Sequence, residues 1–219
     1  MSVLDRDALS DGSLRERMRL PPGLAWSEAQ LDESLAGLLA SRPPGPVWVF
    51  GYGSLMWNPL LHHVERRRAV VPGWHRSFCM RTVVGRGRPE RPGRMLSLEP
   101  GGEVQGVALC LPAGEEEREL RLLWRREMLT GAYLPQWLPL QWWPEGGAAQ
   151  ALVFVARPGH AMHEADSSVP TVAALVADAE GAFGRNIDYL HALQQALAAE
   201  GLQDAHVDAL ARALQARRG

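Results

Sequence analysis

The sequence predicts an α+β fold built round a curved or closed, antiparallel-rich sheet. Three observations carry this expectation. The middle of the chain is a series of short β-like runs bounded by Gly and Pro, one amphipathic helical segment interrupts them, and an Ala- and Leu-rich helical stretch follows Pro170. Strands that largely precede the terminal helices, instead of alternating with them, argue against a doubly wound parallel sheet. At 219 residues, 46% hydrophobic and 22% charged, the chain has the size and composition of one globular domain, 1–219, with a well-buried core.

Taken in order, residues 1–20 are charged and irregular, with room for a short helix at 12–19, and Pro21-Pro22 closes them off. "SEAQLDESLAGLLAS" places Ser27 and Gln30 in capping-box spacing, carries Leu31, Leu35, Leu38 and Leu39 at helical intervals, and is ended by Pro43-Pro44. Residues 1–44 therefore form a helical N-terminal arm. From Val47 the period changes: "VWVF", "ERRRAVVPGW", "HRSFCMRTV", "RMLSLEP" and "EVQGVALCLP" read as strands. A helix over 115–129 follows, its stripe of Leu120, Leu123, Trp124 and Met128 ending before Gly131. "YLPQWLPLQWW" and "AQALVFVA" return to extended structure and complete a sheet or barrel core over 47–157. Helical periods then recur at 171–180, 185–200 and 203–217.

Several function classes fall away on composition. A formal charge of -2 gives no basic field for nucleic acid, and all 23 basic residues are arginine, which excludes Schiff-base and lysine-nucleophile mechanisms. Cys79 and Cys110 lie in apolar alternating segments without zinc-like spacing and read as buried thiols. The histidines, including His62-His63 and His160/His163, lack a third ligand at recognisable spacing, so no metal is expected. Without a signal-peptide core or a run of membrane-spanning length, the expected compartment is the reducing cytoplasm, with no membrane partner.

Two stretches stand out as candidate sites. In "VWVFGYGSLMWNP" an apolar run ends in a Gly-Tyr-Gly-Ser turn, where Gly51 and Gly53 are able to take positive φ and aim backbone N–H groups into one concavity. The alternative is a plain tight turn. It is not a phosphate loop, for it lacks the glycine spacing and the lysine, and Ser54 does not sit in a Gly-x-Ser-x-Gly elbow. In "LLWRREMLTGAYLPQW", Glu127 lies beside the apolar stripe in the last helical turn, where burial and the helix dipole both disfavour ionisation. That is the setting of a carboxylate base; the alternative is a surface glutamate paired with Arg125 or Arg126. "GRGRPERPG" lacks the dinucleotide-binding pattern and reads as an Arg-rich surface loop in which Arg86, Arg88, Arg91 or Arg94 is available to clamp a carboxylate.

Six segments in order, "VFGYGSLMWNP", "GWHRSFC", "PGRMLSL", "GVAL", "LLWRREMLTGAYLPQW" and "GRNIDYL", resemble the ChaC-type γ-glutamylcyclotransferases in the form found in bacteria. The resemblance implies a small closed or nearly closed β-barrel with flanking helices, and cleavage of glutathione to 5-oxoproline and cysteinylglycine. It implies that the turn of Tyr52, Gly53, Ser54 and Leu55 cradles the γ-glutamyl group through backbone N–H groups, that Glu127 is catalytic, and that Tyr133 and Arg86 contact substrate. "GRNIDYL", with Asn186 and Tyr189 in a pattern that the family shares, is read as a helix cap and packing motif, with lining of the pocket as the alternative. The chemistry is self-consistent without metal or organic cofactor: the α-amine attacks the γ-carbonyl of the same molecule, Glu127 takes its proton, and orientation supplies much of the rate. Two other readings stay open, a cyclotransferase for another γ-glutamyl amino acid or amine, and a non-catalytic sensor of a γ-glutamyl metabolite linked to cation transport. An exposed, salt-bridged Glu127 would favour the sensor.

Overall fold

The computed structural model describes residues 4–18 and 20–217. Five strands, β1 (Trp48–Gly51), β2 (Glu65–Thr82), β3 (Gly93–Cys110), β4 (Tyr133–Trp142) and β5 (Ala148–Ala156), form a closed barrel in the order β1-β3-β2-β4-β5. All pairs are antiparallel except the closing one, where Val49 meets Leu152 in parallel. Cys110 of β3 lies opposite Trp48 on one side and Glu65 on the other, which fixes the register of three strands at one point.

The apolar runs of β1 and β5 are continuous because both barrel faces are covered. Trp48 and Phe50 join the interior cluster with Ala151, Val153 and Val155, while Val47, Val49, Leu152 and Phe154 face the other way. That outer face is sealed by α3 (Glu28–Ala40) and α4 (Glu116–Glu127), through Leu31, Leu35, Leu120, Leu123, Trp124 and the C-capping Met128. The capping box of Ser27 and Gln30 is present, with both reciprocal bonds.

β2 and β3 differ from the expected set of short strands: each is one 18-residue strand. The Pro and Gly residues that suggested breaks mark a bend in a continuous ribbon. Pairing shifts between Pro72 and Trp74, where Gly73 takes φ +81, opposite Gly101 and Gly102 at φ +118 and +67.

The arm holds α1 (Arg6–Ser10), which the irregular charged sequence did not suggest, and α2 (Leu14–Met18), the helix expected over 12–19; Arg19 lies outside the described residues. Asp5 caps α1 through Ala8 N–H at 2.8 Å. After the barrel come α5 (Val169–Asp178), a minimal hairpin of β6 (Glu180–Gly181) and β7 (Gly184–Arg185), α6 (Asn186–Ala199) and α7 (Ala205–Ala216). Val172, Leu190, Leu193, Val207 and Leu210 complete the interior cluster. Among the described residues no helix is long and apolar enough to cross a membrane.

Candidate active site

The strand period that sends Trp48 and Phe50 inward carries Tyr52 inward as well. Its hydroxyl donates to Phe154 C=O at 2.6 Å. The chain then makes a single 3₁₀ turn over Ser54–Met56 that no side chain caps, and its first internal bond runs from Met56 N–H to Gly53 C=O at 2.8 Å. Of the amides before it, that of Ser54 reaches the Tyr189 hydroxyl, and the 3₁₀ turn itself engages none of the others. Arg76, 2% exposed, donates from Nε to Tyr52 C=O at 2.8 Å and pairs through Nη1 with Asp204 at 3.0 Å. Because a peptide is planar, holding the Tyr52 carbonyl also fixes the direction of the Gly53 N–H.

Gly51 and Gly53 are needed for a reason other than positive φ, which neither adopts. A Cβ on Gly53 would stand 2.9 Å from the Tyr189 hydroxyl, and one on Gly51 would stand 3.0 Å from Leu55 Cβ. Close approach, not handedness, excludes a side chain here.

Glu127 closes α4, immediately before the C-capping Met128. Its side chain is 15% exposed, and Oε1 lies 2.9 Å from Arg126 Nε without the alignment of a hydrogen bond. Burial raises the carboxyl above its ordinary range, and Arg126 pulls the other way. The alternative of a surface pair therefore fails on place: the partner is Arg126, but the pair is inside. Arg126, 4% exposed, also donates to Ser54 Oγ at 2.8 Å and to Pro59 C=O at 2.9 Å, tying the 54–59 loop to α4. Arg125 goes elsewhere, to Glu28 and to the carbonyls of Leu9 and Ser10.

The chain has three tyrosines. All of them, Tyr52, Tyr133 and Tyr189, line one small recess with Glu127 and the turn of Gly53, Ser54 and Leu55. Tyr133 donates to Leu96 C=O at 3.2 Å, and burial pushes all three phenols up. Ser54, Glu127, Tyr133 and Tyr189 also line a larger cavity of about 470 Å³, whose charged lining residues, among the described ones, are Arg86, Arg126 and Glu127.

Of the four arginines singled out around "GRGRPERPG", only Arg86 reaches this cavity. It is half-buried and donates to Arg185 C=O at 3.0 Å; burial lowers its pKa, with Asp188 opposing. Arg88 and Arg91 are exposed, and Arg94 is buried with Nη2 3.5 Å from Glu164. The base of the loop is not a solvated surface feature. Asn186 clips it, accepting from Arg94 N–H at 2.7 Å and donating to Arg94 C=O at 2.9 Å, with Gly93 too close to Asn186 for any Cβ.

The expected site residues are therefore brought together: Tyr52, Gly53, Ser54, Leu55, Glu127 and Tyr133 on the recess, Arg86 on the cavity beyond it. Tyr189 takes the pocket-lining alternative, while Asn186 lines neither recess nor cavity and serves the loop. "GRNIDYL" does pack, but the i, i+3 spacing puts both residues on the barrel-facing side of α6. Among the described residues two groups hold possible metal ligands, Cys79 with Glu99 and His163, and His62 with Glu115 and Glu119, and neither lines the cavity. The Cys79 thiol is pushed up to about 12 by burial, Glu99 is engaged by His163 at 3.1 Å, and Glu119 is held by Arg6.

A five-stranded barrel with a buried carboxylate facing an uncapped turn defines a class that comparison places. The chain belongs to the ChaC-like protein family, whose model matches residues 47–217. It is 45% identical over 204 residues to the glutathione-specific γ-glutamylcyclotransferase of Escherichia coli (strain K12), covering 92% of this chain and 88% of that one. It is 30% identical over 177 residues to glutathione-specific γ-glutamylcyclotransferase 1 of Danio rerio, covering 78% and 89%. A crystal structure of a yeast γ-glutamyl cyclotransferase specific to glutathione matches with TM-score 0.72 at 20% identity, over 78% of this chain and 96% of that one, and supports the fold.

Proposed function

We propose that this protein is a glutathione-specific γ-glutamylcyclotransferase, releasing 5-oxoproline and cysteinylglycine with Glu127 as the general base. The observation that carries the reading is a buried carboxylate of raised pKa on the same recess as the uncapped 3₁₀ turn. Glu127 takes one proton from the bound α-ammonium, and the freed amine nitrogen bonds to the γ-carbonyl carbon. The oxyanion takes hydrogen bonds from the amides of the turn of Tyr52, Gly53, Ser54 and Leu55. The bond to the cysteine nitrogen then breaks as Glu127 returns its proton to that nitrogen and the ring nitrogen gives up its surplus proton to it as well, leaving a neutral lactam and an ammonium.

Tyr52 and Tyr133 use their protons on carbonyls, so each offers the substrate an oxygen lone pair, suited to the α-ammonium that must be held before it is deprotonated. Arg86 is assigned to a substrate carboxylate. The chain acts as one unit, the reaction calls on no metal or organic cofactor, and two free, buried thiols suit a cytoplasmic setting.

The test is incubation with glutathione, reading both products by mass spectrometry, with Glu127→Gln in parallel. Loss of a general base lowers turnover by about 10²–10⁴-fold. Folded Glu127→Gln within about tenfold of wild type would remove the base assignment. A panel of γ-glutamyl amino acids and amines in the same assay tests substrate choice.

A further inference from the structure

We propose that the N-terminal arm builds the subsite for the leaving half of the substrate, with Leu4, Leu14 and Met18 as its specificity-determining wall. The inference rests on the cyclotransferase reading and extends it to a segment that precedes the family-model match at residue 47.

Three apolar side chains of the arm, Leu4, Leu14 and Met18, line the same cavity as Glu127 and Tyr133. None of them lines the inner recess with the turn. With the γ-glutamyl group against the turn and Glu127, whatever is attached beyond it lies in the outer part, between the arm, Phe183 and Arg86. This lining selects by chemistry: leucine and methionine suit a small apolar or thiol side chain on the second residue, and the Arg86 guanidinium suits a terminal carboxylate. A γ-glutamyl dipeptide of that form is favoured over a γ-glutamyl amine, which offers neither.

The arm is built to hold this position. Arg6 of α1, 24% exposed, binds the fully buried Glu119 of α4 and Leu60 C=O at 2.8 Å. Arg125 of α4 donates to Leu9 C=O at 3.0 Å and Ser10 C=O at 2.9 Å. Ala8, Leu9 and Leu14 bury against Leu122, with Met18 and Phe183 packed beside them.

The test uses the full chain with Met18→Ala, Met18→Asp and Met18→Leu, measuring kcat and KM for glutathione and inhibition by cysteinylglycine. Met18→Ala should raise KM about fourfold, the worth of one buried methylene, with the inhibition constant of cysteinylglycine rising in parallel. Met18→Asp, which sets a charged carboxylate in the apolar wall that faces the second residue's side chain, should raise both about tenfold or more, and Met18→Leu should restore them. A purely structural arm would lower kcat or stability without moving inhibition by the leaving half. KM and the inhibition constant unmoved in both Ala and Asp variants, or kcat falling at fixed KM, would overturn the proposal. Wild-type protein giving no 5-oxoproline from glutathione would instead overturn the cyclotransferase reading on which it rests.

Discussion

Substituting Gly53 by alanine tests the geometry of the turn through one atom. The new Cβ would lie 2.9 Å from the Tyr189 hydroxyl, where ordinary contact begins at 3.4 Å, so the hydroxyl or the turn must shift by about half an ångström. Tyr189 has little room to yield: it is 5% exposed, and its ring packs edge-on against Trp57 and Phe78 at centroid distances of 5.4 and 6.4 Å. Overpacking of this kind costs about 1–3 kcal/mol, and the separation of turn and tyrosine should lower kcat. Tyr189→Phe removes the obstructing oxygen, leaving Leu96 Cδ2 at 3.3 Å, the end of a flexible side chain. The double variant should then be more stable than the sum of the singles by about 1–2 kcal/mol, and should regain part of the turnover lost in Gly53→Ala. Urea denaturation of the four proteins, with 5-oxoproline release as the activity, reads both. Additivity within about 0.5 kcal/mol would refute the close-approach argument.

Three further outcomes follow from buried charges and thiols. Glu127 works as a base only when ionised, so activity should fall as pH drops through its raised pKa; Arg126→Gln, removing the charge that opposes the rise, should move this acid limb to higher pH, and an unmoved limb would contradict the pairing. Arg6→Ala leaves the fully buried Glu119 without its cation and should cost about 2–4 kcal/mol at pH 7. Since Glu119 is held below its ordinary 4.5 in the folded protein, that stabilisation is present above the unfolded value and lost as pH falls through the folded one. The difference between wild type and Arg6→Ala in denaturation should shrink accordingly on acidification. With the Cys79 thiol pushed up to about 12, only about one molecule in 10⁴ is thiolate at pH 8, so a thiol reagent should leave Cys79 unmodified until denaturant is added.

Much of the fold was legible because period and punctuation agree. The stripe of Leu120, Leu123, Trp124 and Met128 named the face of α4 that packs, and the capping box named where α3 begins. What misled was punctuation inside a long ribbon: Pro72-Gly73 and Gly101-Gly102 look like strand ends, and only the partner strand reveals that they face each other across a bend. In the site, residues consecutive with a turn or at a helix end were visible, as Ser54 and Glu127 were. Tyr189 and Asn186 were visible only as a packing motif with pocket lining as the alternative, because their meeting with Gly53 and Arg94 depends on how the C-terminal helices close on the barrel. Glycine at 53 reads as conformational freedom from sequence, and only the approach of Tyr189 shows that the constraint is space.

The contact between Glu127 and Arg126 bears on whether the recess transforms its ligand or merely holds it. A site that only captures a γ-glutamyl α-ammonium gains from a carboxylate that is fully ionised and of low pKa, exposed to its cation. Glu127 is shifted the other way, because desolvation at 15% side-chain exposure outweighs the pull of the neighbouring Arg126. The remaining donors of Arg126 are directed to Ser54, Asn58 and Pro59, so that its charge moderates the shift while its geometry serves the loop. A model α-amino group has a pKa of about 8, and raising the carboxylate narrows the gap across which its proton must pass. The direction of the Glu127 shift weakens capture and favours transfer, which is why the pairing with Arg126, buried beside the recess, supports the enzyme over the sensor.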